Sequence, residues 1–221
     1  GNKLVKYLRE DLRTDNTDSF LLPRKALNLL KNSLPDEDVH VSVEYNNTNA
    51  LFTFGDVKLI CRLIDERFPD YNAAIPADAP NTLRINRTEL VNSLKRIAIF
   101  SNKTTYQVRF KISQNELELT AQDLDFANEG FERLPCDFDG EQMNIGFNAR
   151  FLIDMLNILD SDEVVINLSQ HNRPGILKPA ESEQGEDLLM LLMPIVLNFD
   201  EEEEGGQEPE SGDDQTTEAE E

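Results

Sequence analysis

The 221 residues contain no tryptophan and only two cysteines, two histidines and four methionines. Each scarcity excludes something. Cys61 and Cys136 share no CxxC spacing, which argues against a metal site or a redox pair and leaves two buried free thiols. His40 and His171 are the only ordinary general bases near neutral pH, and both sit in strand or turn contexts without a nucleophile motif such as GxSxG. No glycine-rich phosphate loop occurs. No apolar run approaches the roughly 20 residues of a membrane helix, and the N-terminus lacks the succession of a signal peptide. The expectation is a soluble cytoplasmic protein, with no membrane partner, no cofactor and no metal.

Basic charge is also short: 21 Lys and Arg against 43 Asp and Glu, a net of −22. That balance would ordinarily speak against a nucleic-acid partner, but it is unevenly spread. Residues 200–221 hold 12 acidic residues and no basic one, so 31 acidic residues face 21 basic ones over 1–199. The tail has almost nothing to bury and is expected to be disordered. Two roles stay open for it, a solubilising appendage or a mimic that repels or competes with DNA.

What the chain does have is a repeat. Leu22-Pro23-Arg24-Lys25-Ala26-Leu27, Ile85-Asn86-Arg87-Thr88-Glu89-Leu90 and Phe147-Asn148-Ala149-Arg150-Phe151-Leu152 each open an amphipathic helix, at spacings of 63 and 62 residues. Counting from Pro23, Asn86 and Asn148, apolar residues return at offset four (Leu27, Leu90, Leu152) and offset eleven (Leu34, Ile97, Leu159), with Leu94 and Leu156 at offset eight. That is one helical face written three times. The period is too long for a solenoid and suits a half-domain of a helix plus strands.

Three strand-like runs follow each helix: Val39 to Tyr45, Leu51 to Phe54 and Val57 to Ile64; Tyr106 to Ile112, Glu116 to Thr120 and Ala127 to Leu134; Val164 to Leu168, Gly175 to Lys178 and Leu188 to Met193. Ser113-Gln114-Asn115 reads as a hairpin turn. Adding a strand before each helix (Phe20 to Leu22, Thr82 to Ile85, Met143 to Phe147) gives α+β modules of order βαβββ, two of which would make a domain. The second and third pair over about 72–199. The first, residues 20 to about 68, lacks its partner, and only Lys3 to Leu8 remains upstream as a possible last strand of that partner. Such a half-domain exposes an apolar face, so either the chain is a piece of a longer one or another chain completes it. Pro69 to Pro80 is the linker.

Basic residues gather on the repeated helices: Arg24 and Lys25; Arg87, Lys95 and Arg96; Arg150. Ordinary helix solvation accounts for any one of them. Their recurrence would give a basic surface that steers a polyanion to one place, independent of base sequence. An apolar set, Leu4, Phe68-Pro69-Asp70-Tyr71 and Met193-Pro194-Ile195-Val196-Leu197, is either core at a chain end or a groove for a partner peptide. Helix two ends in Ile97-Ala98-Ile99-Phe100, more apolar bulk than one face buries, which suits a subunit interface. The acidic loop Asp123-Leu124-Asp125 with Glu129 and Glu132 lacks calcium-loop spacing and reads as surface.

Leu63-Ile64-Asp65-Glu66-Arg67-Phe68-Pro69-Asp70-Tyr71, Ile145-Gly146-Phe147-Asn148 and Leu192-Met193-Pro194, in that order on a repeated module, closely resemble the bacterial DNA sliding clamp, the β subunit of the replicative polymerase, over roughly residues 1–197. The resemblance implies the clamp fold with helices on the inner, DNA side, and a non-catalytic processivity factor. It also implies a head-to-tail dimeric ring around double-stranded DNA that docks polymerase, clamp loader and repair proteins through linear motifs. Residues 1–71 would be the C-terminal half of the clamp's middle domain, 72–199 its C-terminal domain, and 200–221 an extension that inherits no role. The partner-peptide pocket would use Gly1, Asn2, Leu4, Pro69, Ala74, Asn148, Phe151, Met193, Pro194, Ile195 and Leu197, with Asn2, Ala74 and Val196 where many relatives carry His, Val and Arg. Ile99 and Phe100 would lie at the ring interface, whose other side is on the absent first domain, so this chain is not expected to close a ring. From other classes stand a carboxylate-dependent hydrolase of nucleic acid, which would cleave labelled DNA, and a fragment that self-associates.

Overall fold

The structure is a computed structural model that describes residues 2–13 and 17–197; Gly1 and the expected disorder of the acidic tail lie outside the described residues. The chain is α+β, rich in strands and poor in helices. It opens with β1 (Lys3–Arg9), α1 (Arg24–Ser33), β2 (Ser42–Tyr45), β3 (Asn49–Phe54) and β4 (Val57–Arg62). Then follow β5 (Asn81–Asn86), α2 (Arg87–Ile97), β6 (Gln107–Ser113), β7 (Glu116–Asp123), β8 (Asn128–Pro135) and β9 (Asp137–Asp139). The remainder is β10 (Met143–Asn148), α3 (Ala149–Leu156), β11 (Glu163–Leu168), β12 (Gly175–Pro179) and β13 (Glu186–Leu192).

Strands β6, β7 and β11 alternate because each has one face on a core. Val108, Phe110 and Ile112 of β6, Leu117, Leu119 and Ala121 of β7, and Val164, Ile166 and Leu168 of β11 are buried, with intervening residues half-buried or exposed. Helices α2 and α3 pack on one another over this core through Leu90, Leu94 and Ile97 and through Leu152, Met155 and Leu156. Asn86 and Asn148 start them: each side-chain oxygen accepts from the backbone N–H three residues on, Glu89 at 2.9 Å and Phe151 at 3.1 Å, satisfying a donor the helix cannot. Where Pro23 stands in their place no side-chain cap forms.

The sheets are interlocked rather than side by side. In the order β10-β6-β7-β8, the first strand comes from beyond β8 in the chain, and in β1-β13-β12-β11-β5-β9, β5 joins the strands after α3. Every pairing is antiparallel, β5 on β11 from Asn81↔Leu168 to Asn86↔Glu163 and β10 on β6 from Met143↔Ile112 to Asn148↔Gln107. Strand β9, which alternation over three residues cannot announce, extends the larger sheet beyond β5.

Lys3 to Leu8 forms the expected strand, β1, which pairs with β13, Lys3 opposite Leu192 and Arg9 opposite Glu186. Alternating apolar residues announce a strand but not its neighbour. Three other expectations are corrected. Phe20 to Leu22 is not a strand; Leu21 offers only its carbonyl to the Ile64 N–H, at 3.0 Å. Val39 to Val41 precede β2 without joining it. Finally, Leu27 is 46% exposed, and α1 instead turns Ala26 and Leu30 toward a small cluster of Ala50, Phe52, Phe54 and Leu59. Among the described residues the sheet β2-β3-β4 has three strands and no second helix, so the face that α2 and α3 bury in each other stays uncovered on α1.

This contrast is measurable. Leu94→Ala should destabilise the protein by about 2–5 kcal/mol in urea unfolding, because its site is fully enclosed, whereas Leu27→Ala should cost less than about 0.5 kcal/mol.

Candidate functional site

Strand β13 delivers its end to a corner where β1, β10 and the start of α3 meet. The Met193 N–H donates to the Asn2 carbonyl at 2.9 Å, and Leu4 lies opposite Leu191. After Pro194 the chain leaves the sheet, and the Ile195 N–H donates to the Gly146 carbonyl of β10 at 2.8 Å. Gly146 is required by this approach. A Cβ there would stand 2.6 Å from Leu197 Cδ2 and 2.7 Å from the Ile195 carbonyl oxygen. Asn148, besides capping α3, donates from Nδ2 to the Thr105 carbonyl at 2.7 Å and so fixes the loop before β6. The half-buried Phe151 carries the Lys3 ammonium 4.8 Å from its ring centroid, and that ammonium pairs with Asp154 at 3.1 Å.

Asn2, Leu4, Asn148, Phe151, Met193, Pro194, Ile195 and Leu197 are thereby brought to one corner. Met193 keeps 38% of its surface and Val196 72%. Pro69 is exposed, and Ala74 lines a depression of about 450 Å³ with Ser169, Gln170, Arg173 and Pro174 of the β11–β12 loop, a lining that does not include Met193. Lys3, Thr105 and Gly146 escaped the sequence reading. Alternation along β1 puts Lys3 on the opposite face from Leu4, and nothing in the sequence says that this face meets α3.

The six basic positions divide. Arg24, Lys25 and Lys95 are exposed, and α1 adds Lys31 with no acidic residue along its length. Arg87 is turned to structural work: its Nε donates to the Ser161 carbonyl at 2.7 Å and Nη1 to the Leu156 carbonyl at 3.4 Å, closing the end of α3. Arg96 grips Glu132 of β8 through Nε at 2.6 Å and Nη2 at 2.7 Å, and Ser93 donates to the same carboxylate. Arg150 stacks on the Tyr106 ring, 3.4 Å from its centroid.

Beyond α2, Ile99 and Phe100 are 67% and 38% exposed. The Phe100 ring lies on Gly130 of β8, where any Cβ would come within 2.5 Å of it. β8 is an edge strand carrying the exposed Phe131, and the β7–β8 tip adds Leu124 and Phe126. An open strand edge beside apolar side chains is a template for another chain. At that tip Asp123 accepts the Asp125 N–H at 3.2 Å as a turn; among the described residues no group of three or more His, Cys, Asp or Glu could hold a metal ion. Nor, among them, is any helix long and apolar enough to cross a membrane. Burial beside Asp137 and Glu116 pushes the Cys136 thiol up to about 11, an unreactive state at neutral pH.

Two interlocked sheets over paired helices carry an open edge at one end and an apolar corner at the other. Residues 72–194 match the C-terminal domain, and residues 5–70 the central domain, of the DNA polymerase III beta subunit. The chain belongs to that family, the beta sliding clamps of DNA replication. It is 28% identical over 201 residues to the beta sliding clamp of Chlamydia trachomatis, covering 90% of this chain and 47% of that one. Among solved structures, the DNA polymerase III beta subunit of Pseudomonas aeruginosa superposes with a TM-score of 0.83 at 25% identity, over 89% of this chain and 53% of that one. That of Thermotoga maritima gives 0.76 at 27% identity, over 89% and 55%. The chain spans about half the length of these relatives.

The Arg96–Glu132 contact gives a test of its own. The guanidinium holds the Glu132 carboxyl below the usual range, against the desolvation of its site. A carboxyl with a lowered folded pKa contributes stability above the ordinary glutamate value, and that contribution is lost as pH falls through the folded one. Glu132→Gln should therefore lower the urea midpoint at pH 7, and the gap to the parent should narrow as the pH is lowered through the range in which the folded carboxyl takes up its proton.

Proposed function

We propose that this chain is part of a processivity clamp that encircles double-stranded DNA as a dimeric ring and docks polymerase, clamp loader and repair proteins in the bacterial cytoplasm. In this reading the unit is the βαβββ module, two to a domain, with helices on the DNA side; residues 1–71 are half of the middle domain and 72–199 the C-terminal domain. The observation that carries it is the corner at Met193 and Pro194. A partly exposed thioether and the half-buried Phe151 lie there, the kind of apolar composition that takes the anchors of a linear peptide. Gly1, Pro69 and Ala74 complete the proposed pocket.

The helix faces supply the second half. Arg24 and Lys25 on α1 and Lys95 on α2 stand out on a body in which acids outnumber bases, so a polyanion would be drawn to these faces and repelled elsewhere. Arg87, Arg96 and Arg150 reinforce the local potential although their guanidinium groups are held by protein. Phosphate contacts carry no base information, which is what sliding demands. Ile99 and Phe100, beside the open edge of β8, form one side of the ring contact.

A fluorescent peptide with Gln, Leu and Phe anchors should bind the full chain, and Met193→Ala should raise its dissociation constant about tenfold, the loss of one well-buried anchor. Indifference of binding to both Met193→Ala and Phe151→Ala would remove the pocket.

A further inference from the structure

A groove of about 470 Å³ runs along the face of β1 that carries Lys3, and none of its lining belongs to the proposed peptide pocket. Its floor is apolar. Val5 and Tyr7 share this face of β1, Leu188 of β13 lies directly across from Tyr7, and Ile158, just past the end of α3, forms a wall. Val5, Tyr7 and Ile158 keep 45%, 53% and 55% of their surface, so two segments distant in the chain expose large side chains to one cavity. Apolar surface gathered in this way marks an interaction site, unlike single exposed residues. The rim is acidic. Asp160 stands on the α3–β11 loop and Glu181 and Glu183 on the β12–β13 loop, all exposed, and no Lys or Arg lines the groove. Glu186 is already engaged, accepting from the Tyr7 hydroxyl and pairing with Arg9 at 3.0 Å. The other three carboxylates have no ion pair among the described residues. We propose that this groove docks a short basic segment of a partner protein, with one large apolar side chain seated between Val5, Tyr7 and Ile158 and flanking Lys or Arg residues meeting the acidic rim.

Charge selects this occupant. Nucleic acid or an anionic lipid surface would bring phosphates against carboxylates. A second copy of the chain carries a net charge of −22, and like charges across an interface disfavour association. A bare cation needs converging ligands, whereas among the described residues no group of three or more His, Cys, Asp or Glu could hold a metal ion, so these carboxylates are spread around the rim. A basic segment satisfies both parts of the groove: its anchor leaves water for the apolar floor, and its charged ends reach the rim while remaining solvated. Tyr7 suits the contact, because a tyrosine brings large area with few rotatable bonds and its hydroxyl is already held by Glu186. The groove stands independently of the clamp reading.

Fluorescence anisotropy on the full chain tests it, with a set of short labelled peptides in which Leu, Ile, Met, Phe, Tyr or Trp stands between Lys and Arg residues. At least one should bind with a dissociation constant below about 1 mM. Ile158→Ala, and the pair Glu181→Gln with Glu183→Gln, should each weaken it about fivefold to tenfold, as should alanine in place of the peptide's anchor. All three side chains are exposed, so the substitutions leave the fold intact. Amide shifts on titration should fall at Val5, Tyr7 and Ser161. Absence of binding across the set would overturn the groove, and so would equal binding of the anchorless peptide, which reduces the effect to attraction by net charge. Groove shifts that grow with protein concentration alone would give the site to a second copy and overturn it equally. The peptide with Gln, Leu and Phe anchors should not compete; competition would move the basic peptides to the Met193 corner and overturn the groove, whereas failure of that peptide to bind at all would leave the groove standing.

Discussion

The exchange of first strands between the two halves of residues 81–192 is the constraint on which the remaining structure depends. β5 precedes α2 but pairs with β11, and β10 precedes α3 but pairs with β6. Neither sheet can form from one half alone, so the two helices are forced together and bury Leu90, Leu94, Leu152 and Leu156 completely. The edge-to-face contact of Phe110 and Phe147, 5.5 Å between centroids, lies across one of the exchanged pairs and ties it to the core. Such non-local pairing carries a loop-closure cost that no local element repays before the whole assembles.

The same exchange positions both working surfaces. Because β10 enters the smaller sheet as its edge, its Gly146 is free to receive Ile195 as the chain leaves β13. The cap residue Asn148, two residues further along β10, then starts α3. At the opposite edge of that sheet, β8 stays open beside Phe100 and Phe131. The proposed pocket and the open edge are thus the two ends of one antiparallel layer, and α2 is fastened to it by the Arg96–Glu132 pair.

Much of this was legible in the sequence. Period-2 patterns locate β6 and β11 to within a residue and find the start of β7 while stopping three residues short of its end, and the recurrent Asn cap and apolar face mark the starts of α2 and α3. What the patterns could not carry was partnership. Alternation in Lys3 to Leu8 is satisfied equally by any neighbouring strand, and β1 went to β13. Leu27 has the same offset as Leu90 and Leu152, but burial needs a second helix, and α1 has none against it. Charge was legible as residue type only. That Arg87 would serve the carbonyls of Ser161 and Leu156, and Arg96 the carboxylate of Glu132, depends on contacts 74 and 36 residues apart in the chain. Of the proposed site residues, Met193 and Pro194 stood out as an apolar set and Asn148 through resemblance to the clamp family, whereas Gly146 is explained only by the approach of Ile195 and Leu197.

The central claim is that residues 81–192 unfold as one unit because their sheets share strands, while β2 to β4 with α1 form a separate, weaker one. Native-state hydrogen exchange in low denaturant reads this directly. The account predicts that amides of β5, β6, β10 and β11 converge on one opening free energy, with those of β3 and β4 opening at a distinctly lower one. Separate opening of the strands flanking α2 from those flanking α3 would contradict it.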